Sequence, residues 1–320
     1  MSVSFAVVIP VGSDVSDIDR LQRLVRSIMN NEPRVRWIVL VDDCPQNRRL
    51  EREIDTVPRC DVVSVENPRR GGGLGYYGGL FTGVMHGLNW IWNHTDAAYS
   101  LKLDTDSLII RPFSDVIENT LVSNPDIGQL GVIGRTCNRA DPTFGCESSE
   151  TSPLVEMARQ WEHLVDAVGG NVDLIESSKS GNHLKWYGNF SHVYALIRGA
   201  EARGYHNLSY CQGGAYALSR TMLSLLAEYG CFDEALQWSN IPIGEDVIMG
   251  MHTTYSGMRT CDLSHDGDPF GLHWKGLPFS PPVIVEREYS IIHSMKNDPD
   301  YSERELYSFF REPLHRFLIS

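Results

Sequence analysis

The sequence predicts a doubly wound α/β fold with a central, mostly parallel sheet flanked by helices, and three observations carry that expectation. Short apolar, β-branched runs alternate with segments of helical periodicity. Two of those runs end in acidic clusters, Asp42-Asp43 and Asp104-Thr105-Asp106, which is the edge where open α/β sheets bind their ligands. No internal repeat or low-complexity linker divides the 320 residues, so the chain reads as one large domain with two halves, 1–110 and 111–320.

Phe5-Ala6-Val7-Val8-Ile9 is a continuous run of the kind buried on both faces of a sheet. After Gly12-Ser13-Asp14, the residues Leu21, Leu24, Val25 and Ile28 recur at helical spacing. Trp37 to Val41 and Asp61 to Val65 supply two further strands. A Gly-rich run from Gly71 to Gly79 precedes a helix whose apolar positions are Phe81, Val84, Met85, Leu88, Ile91 and Trp92. Tyr99 to Leu103 is the strand that delivers Asp104-Thr105-Asp106.

From about 135 to 206 the pattern weakens into polar, Gly-rich and Ser-rich sequence around helices near Leu154–Val168 and Val193–Arg203. It reads as an insertion that walls part of a site on the acceptor side. Cys211 to Leu218 resumes a core strand, and Ser219 caps a helix that Gly230 stops. Val283-Ile284-Val285 and Ser290-Ile291-Ile292 read as strands. Ser302 and Glu305 form a capping box for a last helix, which Pro313 should bend.

A formal net charge of -13 repels phosphate backbones and argues against nucleic acid as a partner. An anionic nucleotide then needs local help, which makes a metal ion more plausible. The seven cysteines are scattered and contain no C-x-x-C pair, so they read as reduced thiols rather than a disulfide or zinc framework. The first apolar run is too short for a signal peptide or anchor, so a cytoplasmic protein without a transmembrane segment is expected, with peripheral membrane association still open.

Asp104 and Asp106, two apart on an extended backbone, present both carboxylates on one side. Such a pair suits Mn²⁺ or Mg²⁺ carrying a diphosphate. Glu245-Asp246 precedes Val247, Ile248 and Met251, which places both acids in the first turn of a helix. Asp246 is the chosen general base for an attacking hydroxyl, although acids in a first helical turn also simply complement the dipole. His293 ends the Ser290–Ile292 strand and offers a third metal ligand, with His265 and His273 as competitors, and Lys296 offers a cation for a leaving diphosphate. Gly73-x-Gly75-x-x-Gly78 formally matches a dinucleotide fingerprint. It does not follow the first strand, so the glycines are expected to let backbone approach a nucleotide or the first strand.

The Val-Val-Ile-Pro opening, Val41-Asp42-Asp43, Leu103-Asp104-Thr105-Asp106, Gln212-Gly213-Gly214, Gly244-Glu245-Asp246 and Ile292-His293-Ser294-Met295-Lys296 occur in the order found in GT-A glycosyltransferases. Over roughly residues 3 to 300 the chain resembles that Rossmann-like family, in particular its inverting, family 2-like members. The resemblance implies transfer of a sugar from a UDP- or GDP-linked donor to a glycan, lipid-linked or other hydroxyl acceptor, as in polysaccharide biosynthesis. It implies that Pro10 and Val11 line the nucleotide pocket, that Asp43 contacts the base, and that Asp106 ligates the metal, with Asp104 on ribose or metal. By the same resemblance Asp246 is the base, Glu245 orients the acceptor and His293 is a metal histidine. Where many family 2 members carry an Arg-Asn pair this chain has none, and Arg69 and Arg70 stand as substitutes. A retaining glycosyltransferase, a nicotinamide-dependent oxidoreductase using the Gly73–Gly78 loop, and a non-catalytic nucleotide- or carbohydrate-binding protein remain the alternatives.

Overall fold

Alternation within the strands explains the continuous apolar runs. In β1 (Phe5–Val11), Ala6 and Val8 face one core while Phe5, Val7, Ile9 and Val11 face the other. Helix α1 (Val15–Asn31) covers the second face through Leu21, Leu24, Val25 and Ile28. The first face is covered by α2 (Gly78–His94) through Phe81, Val84, Met85, Leu88 and Ile91. With a helix on each side, neither set of side chains has reason to be polar. The computed structural model describes residues 3–46, 48–54, 59–75, 77–133, 190–206, 209–241 and 243–311.

Strands β2 (Val35–Asp42), β3 (Asp61–Glu66) and β4 (Tyr99–Leu103) join β1 in parallel, in the order β3-β2-β1-β4. Beyond β4 the sheet continues through the expected Cys211–Leu218 strand and then through two strands that the sequence pattern does not announce. The order is β3-β2-β1-β4-β7-β6-β8, where β6 is Ile127–Ile133, β7 is Cys211–Ser219 and β8 is Arg259–Asp262. Only β7 runs against its neighbours, antiparallel to both β4 and β6. Its first residues therefore arrive where the other strands end, and Ala215 pairs with Leu103, the last residue of β4.

A second, three-stranded sheet in the order β5-β10-β9 is built from β5 (Leu108–Ile109), β9 (Phe270–Leu272) and β10 (Ile291–His293). Among the described residues the remaining α-helices are α3 (Ser114–Ser123), α4 (Phe190–Ala202), α5 (Arg220–Glu228), α6 (Glu245–Tyr255), α7 (Pro281–Glu286) and α8 (Glu303–Arg311). Ser219 caps α5 by accepting from the Met222 N–H at 3.1 Å. The Ser302–Glu305 box is formed in both directions at α8.

Val283-Ile284-Val285, expected as a strand, lies in α7. Pro281 and Pro282 occupy its first turn, where a missing N–H costs nothing and a fixed φ favours the helix. Burial of Ile284 and Val285 against Leu306 and Phe310 outweighs the β preference of three branched residues. In the segment expected as an insertion, α4 accounts for the helix near Val193–Arg203 and packs Val193, Leu196, Ile197 and Ala200 into the core shared with α2. The helix expected near Leu154–Val168 and the bend at Pro313 lie outside the described residues. Among the described residues, Cys44, Cys60, Cys211, Cys231 and Cys261 are free thiols, and no helix is long and apolar enough to cross a membrane.

Candidate active site

Asp104 and Asp106 are brought together by a turn, not by the shared strand face that their spacing suggested. β4 stops at Leu103, and the Ser107 N–H donates to the Asp104 carbonyl at 3.0 Å. The turn is fastened on two sides. Its Asp104 N–H and Ser107 hydroxyl both donate to the Gly214 carbonyl at 3.0 Å, and the Met295 N–H donates to the Asp106 carbonyl at 2.9 Å. Once the main-chain groups are spoken for in this way, the two carboxylates have one place to point.

His293 meets them from the end of β10. Its Nε2 lies 3.5 Å from Asp106 Oδ1 and 3.8 Å from Asp104 Oδ2. Nδ1 lies 3.0 Å from the His273 carbonyl, which fixes a proton on that nitrogen and leaves Nε2 toward the carboxylates. Gly214 makes this possible, since a Cβ there would overlap the imidazole. Of the competing histidines, His265 is exposed and paired with Asp268, and the His273 ring turns to the Lys275 carbonyl.

One ligand atom from each of Asp104, Asp106 and His293 falls within 4.8 Å of the others. Asp106 is fully buried; its Oδ2 accepts from the Ser294 hydroxyl at 2.6 Å and lies 3.4 Å from Lys296 Nζ. Its Oδ1 is buried without a hydrogen-bond donor among the described residues. Burial penalises that carboxylate, but His293, Lys296 and the Ser294 hydroxyl outweigh the penalty and hold it well below the usual range. An ionised, orphaned oxygen beside a second carboxylate and an imidazole fits a hard divalent cation such as Mn²⁺ or Mg²⁺.

The second acidic pair opens α6, with Gly244 at its cap position. Glu245 is only 2% exposed. One of its oxygens accepts from the Tyr216 hydroxyl, and the other lies 3.6 Å from Lys102 Nζ. Burial pushes the Glu245 carboxyl up to about 7 against the pull of Lys102, and the neighbouring Asp246 charge adds to the rise. Asp246 is half-buried; its Oδ1 accepts from the Val247 N–H at 2.9 Å, and burial raises its carboxyl too. Glu245 is thus enclosed by protein, while Asp246 remains partly exposed. A Cβ on Gly213 would lie 3.1 Å from Glu245 Oε2 and 3.5 Å from Asp246 Cβ, so the bare backbone of β7 separates the two acidic pairs.

Lys102 was missed. Its side chain is wholly buried, and Nζ donates to Asp104 Oδ1 at 2.7 Å and to the Gly213 carbonyl. Burial disfavours the ammonium, but Asp104 and Glu245 together raise its affinity for the proton, so it stays charged. The available signal was a single Lys inside the apolar run Tyr99–Leu103. A lysine that a buried strand retains needs partners.

At the end of β1, Pro10 is half-buried and Val11 is 1% exposed. The Asp43 N–H donates to the Val11 carbonyl at 3.0 Å, so the three residues stand together at the ends of β1 and β2, on the same edge of the sheet as Asp104. Asp43 is gripped by the Arg69 guanidinium, with Nε at 2.8 Å, and by the Gly71 N–H at 3.3 Å. Arg70 instead pairs with Glu66 at 2.9 Å. The Gly-rich run follows β3, and its backbone approaches the residues before α6 instead of the first strand. Leu74 and Gly78 N–H groups donate to the Ser239 and Ile241 carbonyls at 2.9 Å. Among the aromatic residues, Trp238 is core, whereas Tyr77 and Trp274 are exposed.

The sequence matches no protein-family model, and no curated protein is similar to it. Solved structures similar to it include the mannosyltransferase PcManGT from Pyrobaculum calidifontis in complex with GDP-Man and Mn²⁺, at 15% identity and a TM-score of 0.38, covering 81% of this chain and 54% of that one. The bifunctional glycosyltransferase WbbM in its apo form has 13% identity and a TM-score of 0.49, with 98% of this chain and 50% of that one covered. The glycosyltransferase GlyE of Streptococcus pneumoniae has 10% identity and a TM-score of 0.44, with 99% and 62% covered. The chain thus spans between half and about three-fifths of the length of these solved chains.

Proposed function

We propose that the chain is a metal-dependent glycosyltransferase that moves a sugar from a UDP- or GDP-linked donor to an acceptor hydroxyl, on a glycan, a lipid-linked saccharide or another alcohol, with inversion. The observation that carries this reading is the gathering of the buried Asp106 Oδ1, which meets no hydrogen bond among the described residues, with Asp104 and His293, set across one strand from a half-buried carboxylate. Asp104, Asp106 and His293 would hold the cation, which when bound supplies positive charge to the donor diphosphate. Pro10, Val11 and Asp43 would receive the nucleoside at the same edge of the sheet.

Asp246 takes the proton of the acceptor hydroxyl as that oxygen forms its bond to the anomeric carbon. The bond from that carbon to the diphosphate oxygen breaks, and its electron pair leaves on the diphosphate, whose charge the Lys296 ammonium helps to offset. Glu245, held by the Tyr216 hydroxyl and facing Lys102, orients its neighbour and the acceptor. The oxidoreductase alternative finds no support, because the Gly73–Gly78 segment follows the third strand and is occupied with the Ser239–Ile241 backbone.

The test is calorimetric titration with UDP, GDP and their sugar conjugates, with and without Mn²⁺, followed by NMR of the product anomer. Mn²⁺-dependent nucleotide binding and an inverted anomer are expected. Binding indifferent to Mn²⁺ would sink the cation site, and a retained anomer would remove Asp246 as the base of a single displacement.

A further inference from the structure

Lys102 is the side chain that reaches both acidic pairs. It sits one residue before the end of β4, opposite Tyr216 in the ladder, and is completely enclosed. Its Nζ has 2.7 Å to Asp104 Oδ1, a bond to the Gly213 carbonyl, 3.6 Å to Glu245 Oε2, and the Tyr216 ring centroid at 5.8 Å. The contact to Asp104 is closed, while the one to Glu245 is longer than a hydrogen bond. Tyr216 completes the circuit, since its hydroxyl donates to the other Glu245 oxygen.

We propose that Lys102 is a positioning residue that couples the cation-binding turn to the acid pair, acting as the counter-ion both sides share. The proposal rests on the reading of Asp104 as a cation ligand. With a divalent ion held at Asp104, the ammonium would share that carboxylate's charge and be repelled by the ion's own. The attraction left to Lys102 then falls on Glu245, and the gap of 3.6 Å gives it room to close. Because Lys102 and Glu245 are both buried, the force between them is only weakly screened. Coupling of this kind is reciprocal. Neutralising Glu245 leaves the ammonium wholly to Asp104, where it competes with the incoming ion. Lys102 touches no reacting atom in this scheme; it makes donor loading felt at Glu245 and, through it, at Asp246.

The experiment measures Mn²⁺ affinity by calorimetry or EPR in the unmutated protein, Glu245→Gln, Lys102→Met and the Lys102→Met/Glu245→Gln double variant, each checked for folding by thermal melting. Glu245→Gln should weaken Mn²⁺ binding by about 5-fold or more in the unmutated background and by less than about 2-fold in the Lys102→Met background. An equal effect in both backgrounds, or none in either, overturns the proposal. Should Lys102→Met alone fail to fold, the carboxyl ¹³C signal of Glu245 in the unmutated protein serves in its place. It should move on Mg²⁺ addition with the midpoint of Mg²⁺ binding, and a stationary signal at saturation overturns the proposal. Loss of all Mn²⁺ and Mg²⁺ binding in the unmutated protein would remove both the cation site and this coupling. Intact binding that ignores Glu245 removes the coupling alone.

Discussion

Asp104 and Asp106 occupy a turn at the end of a strand, whereas Glu245 and Asp246 open a helix, and local electrostatics alone would rank the helix as the better home for negative charge. The structure reverses that ranking. Asp106, though buried, is held ionised by His293, Lys296 and Ser294, while burial pushes Glu245 up to about 7 despite the helix N-terminus. A helix dipole is worth about 0.3–1 kcal/mol at an exposed position, whereas desolvation of a fully buried carboxylate moves it by up to about 3–5 pK units. Both acids have cationic and hydroxyl partners; those of Asp106 outweigh its burial, whereas those of Glu245, opposed also by the Asp246 charge, do not. Two acidic pairs at one sheet edge thereby differ in charge state, which is the division that the proposed cation-holding and proton-accepting roles require.

Asp246→Asn should break this division most visibly. Transfer should fall by about 10²–10⁴-fold while Mn²⁺-dependent nucleotide affinity changes by less than about 2-fold; initial rates and calorimetry separate the two, and equal losses would make Asp246 a structural residue. Asp106→Asn attacks the other side. Mn²⁺ affinity should drop by at least the ~10–100-fold that loss of supporting groups around a metal costs, and unchanged affinity would remove Asp106 from the ligand set. Gly214→Ala probes the backbone between them. Forcing a methyl into the His293 imidazole should cost about 1–3 kcal/mol in chemical denaturation and weaken Mn²⁺ binding, and an unchanged Mn²⁺ affinity in a folded variant would remove His293 from the ligand set.

The smallest effect is one of pH. Folded Glu245 binds its proton more tightly than its ordinary 4.5, so its contribution to stability is full below pH 4.5 and lost as the pH rises to about 7. Asp106 has the opposite sign: its contribution is present above its ordinary 3.8 and is lost as the pH falls toward its depressed folded value. Across pH 4.5 to 7 the melting temperature of the unmutated protein should therefore decline relative to Glu245→Gln. A constant difference would mean that Glu245 is not raised.

Much of this was legible in the sequence, because burial on both faces writes itself as an unbroken apolar run. β1, β2 and β4 and the helices over them were readable for that reason. β6, with the sequence Ile-Gly-Gln-Leu-Gly-Val-Ile, was not, since two glycines and a glutamine interrupt the run. β5, β8 and β9 are only two to four residues long and take their conformation from partners distant in sequence. Both acidic pairs were found as motifs. Their mutual placement was hidden, because it depends on β7 running backwards and on Lys102, whose partner Glu245 is more than a hundred positions away. Val283–Val285 misled because branching was weighed ahead of the two prolines before it.

The reversal of β7 has a consequence for how this architecture can vary. Ile133 at the end of β6 is the register partner of Cys211 at the start of β7, so residues 134–210 leave and re-enter the sheet at adjacent points. Those points lie on the edge that carries Asp104 and Asp246. The entropy of closing a loop between neighbouring ends grows only slowly with its length. The length of chain between these two strands is therefore only weakly constrained by their pairing, while α4, which packs into the core within that span, is the part that must be kept.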